Sequence, residues 1–232
     1  MAKQSDSVKR RSFLNAMNVA VPVTALALGG AALASAKPSS PAHWAPARHE
    51  KDDWFDKNQA KHRLVIDTTT TAEFGEGILY ASNFVLINKT DYGVQNSDLA
   101  VVVVARHGST PFGYNDAMWA KYGEPMTALT KFQDPKTKQA PKLNVFASPE
   151  YADGLSSLGV TLDAVIKDGL QFGVCGLATS FFAKTIAKAV GGDADKINAE
   201  LGANLIANAR LVPAGISAVS RAQERGYTFV KA

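Results

Sequence analysis

The feature that most constrains the fold is the apolar run Leu99–Ala105, in which four consecutive valines stand between two alanines. A strand with one face in water alternates polar and apolar residues. This run does not alternate, so it predicts a central strand covered on both faces. Further short apolar segments lie at residues 64–66, 143–147, 170–174, 210–212 and 227–230. Helix-like segments separate them, and the alternation predicts an α/β fold with a mostly parallel sheet and helices on both faces, in three layers.

Helices between these strands are indicated by apolar spacing and by their ends. Apolar residues at the helical period predict a helix that ends near residue 89: Phe74, Ile78, Ala81 and Val85. Residues 114–122 are expected to form a short helix, followed by turns and a lysine-rich loop up to residue 141. Helices are also predicted over 177–190 and 194–207. Pro213 at a first helical position and Gly226 just past the end bracket the last helix.

The first 36 residues are typical of a twin-arginine export leader. Arg10 and Arg11 precede an uncharged stretch over 12–36, which ends in the small residues Ala34 and Ala36 of a signal-peptidase site. The alternative is a retained membrane anchor, but Pro22 and two glycines make the stretch weakly apolar for a spanning helix. We therefore expect export to the periplasm or otherwise out of the cytoplasm, with no membrane span after cleavage.

The rest of the chain divides into a linker and one domain. Residues 37–61 are rich in proline, alanine and charge, which is typical of a linker. Trp54 and Phe55 are expected to pack onto the domain as a strap, although a partner-docking site is an alternative. Residues 62–232 are predicted to form the α/β domain.

The charge of the chain gives no indication of a polyanionic partner. The net charge is +4, and the leader contributes +3 of it through four basic residues and one acidic residue. The mature chain is therefore left at about +1, which predicts neither nucleic acid nor an anionic membrane surface as a partner.

Cysteine and histidine usage argues against disulfides and metals. The chain has one cysteine and four histidines, without ligand-like spacing among them. No glycine-rich phosphate loop, dinucleotide fingerprint or Gly-x-Ser-x-Gly elbow is present in the sequence. We expect no metal and no cofactor.

Candidate site residues follow from the rule that open parallel sheets bind ligands at the carboxyl ends of their strands. The residues at these expected ends are Asp67, Thr68, Arg106, His107, Ser148, Cys175 and Gly176. Cys175 follows a predicted strand and precedes a predicted helix, where free N–H groups and the helix dipole stabilise a thiolate. The alternative is that Cys175 packs as a small apolar residue. Arg106 and His107 are candidates for anion steering or acid–base work, or simply form a solvated strand end.

Two segments carry a family resemblance. Residues 170–176 place a cysteine directly after a strand, and residues 211–230 contain a Val-Pro-x-Gly-Ile helix start and a Gln-x-x-Gly-Tyr entry to the last strand. With residues 98–107 and 115–122, they resemble the exported branch of the DsrE/DsrF-like sulfur-relay family over about residues 62–232. The resemblance implies a DsrE-like, flavodoxin- or Rossmann-like three-layer domain and a homo-oligomer. It further implies that Cys175 carries sulfur as a persulfide received from small inorganic or protein-bound sulfur species.

Two functional hypotheses remain open at this point. In the first, Cys175 is a persulfide carrier or sulfurtransferase-like thiol, with Arg106 or His107 steering an anionic sulfur species. In the second, the domain is a non-catalytic periplasmic binding or assembly module, and Cys175 is structural. The accessibility and reactivity of the thiol distinguish the two.

Overall fold

The structure is a computed structural model that describes residues 45–56, 59–151 and 154–232. Within these ranges the strands are β1 His62–Thr68, β2 Leu99–Ala105, β3 Gln171–Cys175, β4 Ala209–Val212 and β5 Thr228–Lys231. The α-helices of the same ranges are α1 Thr71–Thr90, α2 Asp116–Thr130, α3 Leu162–Lys167, α4 Gly176–Val190, α5 Ala194–Ala203 and α6 Gly215–Gln223. Longer 3₁₀ helices cover Glu50–Asp56 and His107–Gly113. The predicted export leader, residues 1–36, lies outside the described residues.

The five strands of the described ranges form one parallel sheet in the order β4-β3-β2-β1-β5. β2 is the middle strand, and all seven of its residues are buried. Its bounds are those predicted from the apolar run. Burial on both faces explains why this strand carries no polar residue.

Helices cover both faces of the sheet, which confirms the predicted three-layer α/β fold. Alternate β2 residues serve opposite faces: Val101 and Val103 belong to the apolar core under α1, α2 and α4. Val102 and Val104 belong to a smaller core with α6 and the first 3₁₀ helix. Trp54 and Phe55 are buried in that smaller core, where the Tyr227 hydroxyl donates a hydrogen bond of 2.8 Å to the Phe55 carbonyl.

The prediction of a strand over residues 143–147 was wrong. This segment is a turn, because the buried Asn144 forms hydrogen bonds to a neighbouring loop and not to a strand of the sheet. Its side-chain amide donates to the carbonyls of Phe112 and Tyr114 at 2.8 and 3.0 Å. Its backbone N–H donates a hydrogen bond of 2.8 Å to the Asp116 carboxylate. These bonds tie the segment to the loop before α2 instead of to the sheet.

Three helix boundaries also differ from those expected. α5 ends at Ala203 instead of at residue 207. α2 continues to Thr130 instead of ending at residue 122, and Pro125 lies inside it. Pro213 is not a first helical residue, since Ala214 is the N-cap of α6 and Gly215 its first residue. None of the helices in the described ranges is both long and apolar enough to cross a membrane.

Candidate functional site

The site lies where the chain changes faces of the sheet, at the carboxyl ends of β3 and β4. β3 leads into α4 on one face, whereas β4 leads into α6 on the other. Connections that leave neighbouring strands on opposite faces open a crevice, and parallel α/β sheets bind ligands in such crevices. Here the crevice is a cavity of about 840 Å³. Its lining comes from β3, α4, the start of α6, the 3₁₀ helix after β2, and α2.

Cys175 lies at the floor of this crevice, as the last residue of β3 and the N-cap of α4. The backbone N–H of Ala178 donates to its sulfur at 3.5 Å. The residue is 6% exposed and lines the cavity. An N–H group aimed at sulfur from the first turn of a helix is the arrangement that favours a thiolate.

A buried hydroxyl relay holds the turn that presents Cys175. Thr179 Oγ1 donates to the Cys175 carbonyl at 2.9 Å, and the Tyr114 hydroxyl donates to Thr179 Oγ1 at 2.9 Å. Burial raises the pKa of Tyr114, so its hydroxyl remains a donor across the range in which proteins work. Sequence reasoning missed both residues, because neither stands at a strand end.

Two glycines at the crevice allow close packing: Gly176 at the start of α4 lies against the end of β4, and Gly215 at the start of α6 lies against Arg106. A Cβ on Gly176 would lie 2.9 Å from the Val212 carbonyl oxygen, and one on Gly215 would lie 2.7 Å from Arg106 Cβ. Both distances are too short for a larger residue. Among the described residues no side chain caps α6, whose N-cap is Ala214. The first residues of α6 line the same cavity as Cys175.

Arg106 lines the cavity, but its charge is compensated. Its Nε and Nη2 atoms donate to the two carboxylate oxygens of Asp67, each at 2.7 Å. The Asp67 carboxylate side chain is 3% exposed, which makes this a largely buried bidentate pair. The hydrogen bond to Asp67 raises the pKa of Arg106 against the opposing effect of burial. The pair joins the carboxyl ends of β1 and β2.

His107 is exposed and has a left-handed backbone, with φ of 54°. Its Nδ1 atom lies 3.1 Å from Arg106 Nη1. Because a guanidinium only donates, this contact is a hydrogen bond when the Nδ1 atom of His107 accepts. His107 also lines the cavity, so the imidazole borders the cavity that contains Cys175.

The same edge of the sheet carries a second ion pair, between Glu73 at the start of α1 and Lys231 at the end of β5. Burial opposes ionisation of Glu73, but hydrogen bonds from Lys231 and Thr69 outweigh it and lower its pKa to about 2. Glu73 also accepts from the Thr70 backbone N–H and completes a capping box of α1. Neither residue lines the cavity that contains Cys175.

The walls of the cavity are apolar. Leu177 and Phe181 from α4 and Ile216 from α6 are 69%, 59% and 60% exposed at its rim. Phe182 and Leu129 complete the wall, and Leu129 shows that α2 extends far enough along the chain to border the site. The sequence predicted that these residues lie on helices. That they are exposed around one cavity is known only from the tertiary structure.

Most of the candidate residues chosen by the strand-end rule lie together in the structure, but not all of them do. Arg106, His107, Cys175 and Gly176 meet at the crevice or beside it, with Asp67 behind Arg106. Ser148 does not, since residues 143–147 are no strand and its backbone instead begins the short 3₁₀ helix Pro149–Tyr151. Thr68 is buried and bonds to Ser109 and Val104. Within the described ranges no group of three acidic, histidine or cysteine residues is arranged to hold a metal ion.

Comparison with known proteins adds little to this geometry. The chain matches no protein-family model and no curated protein. Its structure is similar to that of a protein of unknown function, MTH1491 from Methanobacterium thermoautotrophicum. The TM-score is 0.36 and the identity 13%, over 74% of this chain and 99% of that one. At this TM-score the similarity indicates nothing about function.

Proposed function

We propose that the protein is an exported sulfur carrier in which Cys175 holds sulfane sulfur as a persulfide. The observation that carries the proposal is the position of Cys175, at the floor of the crevice with a helix N–H aimed at its sulfur. The resemblance to the DsrE/DsrF-like family supports this role for the thiol. Export rests on Arg10, Arg11 and the small residues at 34–36.

The chemistry needs one thiol and no outside oxidant. The Cys175 thiolate attacks the terminal sulfur of a persulfide R–S–SH, which forms Cys175–S–SH and releases the thiolate R–S⁻. One S–S bond forms and one breaks, and the proton stays on the transferred sulfur. Delivery to an acceptor thiolate is the same exchange in reverse.

The surroundings suit a sulfur that carries negative charge during this exchange. The first turn of α4 donates to the Cys175 sulfur. A helix N-terminus contributes on the order of 0.3–1 kcal/mol to an anion beside it. His107 lines the same cavity, next to Arg106.

A specific observation also favours the second hypothesis, a non-catalytic binding module. Cys175 is only 6% exposed, and the rim around it is apolar. In such a module the cavity binds its ligand without sulfur transfer, and Cys175 contributes packing alone.

Intact-mass spectrometry of the purified protein tests the proposal. Because the chain has a single cysteine, any sulfur addition that Cys175→Ser removes is assigned without ambiguity. Incubation with a persulfide or with polysulfide is expected to add whole sulfur atoms. Fully reduced sulfide is the matched control and is expected to add none, since joining it to a thiol requires an oxidant.

Alkylation decides between the two hypotheses. Native Cys175 is expected to react with iodoacetamide at neutral pH, because a carrier thiol has to be accessible and reactive in the folded protein. If it resists alkylation until the protein is unfolded, and no donor adds sulfur, the carrier function is wrong and the binding module replaces it.

A further inference from the structure

We infer that the sulfur compound entering the crevice is a small organic molecule with an uncharged, apolar body, such as an alkyl or aryl persulfide. This inference rests on the proposed function, and it names the class of donor or acceptor. It departs from the inorganic or protein-bound species that the family resemblance implies. Three properties of the cavity carry it: size, lining and charge.

The cavity is far larger than an inorganic sulfur species requires. Its volume of about 840 Å³ falls in the range of roughly 300–1,000 Å³ that is typical of small-molecule sites. A sulfur atom added to Cys175 fills only a small part of that space. The remainder has the dimensions of an organic ligand rather than of a macromolecular surface.

The lining is apolar beyond the immediate surroundings of the sulfur. Leu177 and Phe181, one helical turn apart on α4, line the cavity together with Ile216 on α6, and all three are more than half exposed. The exposed rim offers a ligand apolar surface to bury at roughly 25 cal/mol per Å². Apart from the thiol of Cys175, the polar side chains of the lining are those of Arg106 and His107.

The charge of the site does not suit an inorganic anion. Arg106 is the one permanently charged side chain among the described residues that line the cavity, and both carboxylate oxygens of Asp67 already hold it. A thiosulfate dianion would have to place its sulfonate against apolar side chains, without a free cation to replace its water. An organic persulfide R–S–SH has an uncharged body, and during the exchange negative charge lies only on the reacting sulfur atoms, beside the Ala178 N–H.

In the proposed complex the organic body of the ligand and its sulfur bind at different parts of the cavity. The body R lies between the walls formed by α4 and α6, and its sulfane sulfur points at Cys175. Attack of the Cys175 thiolate transfers the terminal sulfur and its proton, and R–S⁻ leaves. The apolar walls hold R without taking part in the exchange.

The test compares three sulfur donors at equal concentration and measures the rate of sulfur addition to Cys175 by mass spectrometry. Benzyl persulfide has an apolar body, cysteine persulfide a zwitterionic one, and thiosulfate is a dianion. Benzyl persulfide is expected to react at least tenfold faster than either of the others, as burial of one aromatic ring predicts. Phe181→Gln and Leu177→Gln should each slow benzyl persulfide about three- to tenfold. Leu86→Gln, on the exposed face of α1 away from the cavity, is the matched control and should change nothing.

A second measurement separates this inference from the carrier function. Calorimetric titration of Cys175→Ser with benzyl mercaptan reports occupation of the walls without any sulfur transfer, and Phe181→Gln should weaken it. If no donor adds sulfur to Cys175 while benzyl mercaptan still binds, the carrier function fails and the apolar ligand site stands. If cysteine persulfide reacts as fast as benzyl persulfide, and Phe181→Gln has no effect, the ligand class is wrong while the carrier stands.

A second copy of the chain is the competing occupant of the rim. Sedimentation velocity of the wild type, Phe181→Gln and Leu86→Gln addresses it directly. If Phe181→Gln dissociates an oligomer and benzyl mercaptan binding is absent, the apolar rim is an interface between copies, and the ligand inference is overturned.

Discussion

Replacing Arg106 with Met should destabilise the protein strongly, because it leaves the Asp67 carboxylate buried without a cation. The two groups form two hydrogen bonds of 2.7 Å, and their side chains are 17% and 3% exposed. Met retains the methylene groups that pack against Gly215, so the change removes charge and hydrogen bonds with little loss of packing.

The magnitude follows from the burial of Asp67. Removing one partner of a buried ion pair costs about 3–5 kcal/mol, whereas replacing both partners with neutral groups is far less costly. Two charge-assisted bonds, at about 1.5–3 kcal/mol each, give a similar figure. We expect Arg106→Met to lower the free energy of unfolding by about 4 kcal/mol, and the double variant Asp67→Asn/Arg106→Met to lower it by about 1–2 kcal/mol.

Urea unfolding at pH 7, followed by tryptophan fluorescence, measures both variants against the wild type. Lys121→Met, which breaks an exposed ion pair with Glu200, is a control with an expected loss of no more than about 1 kcal/mol. A loss below about 1 kcal/mol for Arg106→Met, or a double variant as unstable as the single one, would refute the reasoning that a buried, compensated charge lies behind the cavity.

Three further predictions concern the capping box, the central strand and the leader. Glu73→Gln should lower stability at pH 7 by about 1–2 kcal/mol, after discounting for the partly exposed Lys231. The pKa of Glu73 is lowered from 4.5 to about 2, so its contribution to stability is present above pH 4.5 and is lost as the pH falls towards 2. Denaturation series from pH 7 to 3 measure the difference in unfolding free energy between wild type and variant. A difference that does not shrink over this range contradicts the prediction. Val102→Asp buries an unpaired charge in the middle strand and should prevent folding, whereas Val102→Ala should fold; cooperative unfolding of a soluble Val102→Asp protein would show the reasoning to be wrong. Replacing Arg10 and Arg11 with lysine should block export in a cell-fractionation assay, because lysine keeps the charge but not the guanidinium geometry, and unchanged export would remove the twin-arginine assignment.

The sequence alone predicted the layers of the fold because the relevant signals are local. The run Leu99–Ala105 has no polar residue and four consecutive valines, which favours a strand covered on both faces. The carboxyl-end rule then placed Arg106, His107 and Cys175 at one edge, since parallel strands all end there. That part of the candidate site required no knowledge of side-chain contacts.

The misassigned segment shows where local pattern fails. Residues 143–147 have the apolar content of a strand, but Asn144 forms its hydrogen bonds with Phe112, Tyr114 and Asp116, about 30 positions earlier in the chain. Hydrogen bonds between residues so far apart in the chain produce no periodic pattern in the sequence. A short apolar segment is therefore ambiguous until its partners are known.

The character of the site was likewise decided by tertiary structure. Nothing in the sequence indicates a partner for the charge of Arg106. In the structure the pairing of β1 and β2 brings Asp67, 39 positions away, next to it, and Asp67 compensates the charge. Leu177, Phe181 and Ile216 have the apolar character of ordinary core residues in the sequence. They remain exposed around the cavity because α4 and α6 leave neighbouring strands on opposite faces of the sheet. The sequence by itself determined the sheet, its edge and the position of the thiol, through short-range periodicity. Only the packing of distant segments decided that the thiol lies in an apolar, charge-compensated crevice.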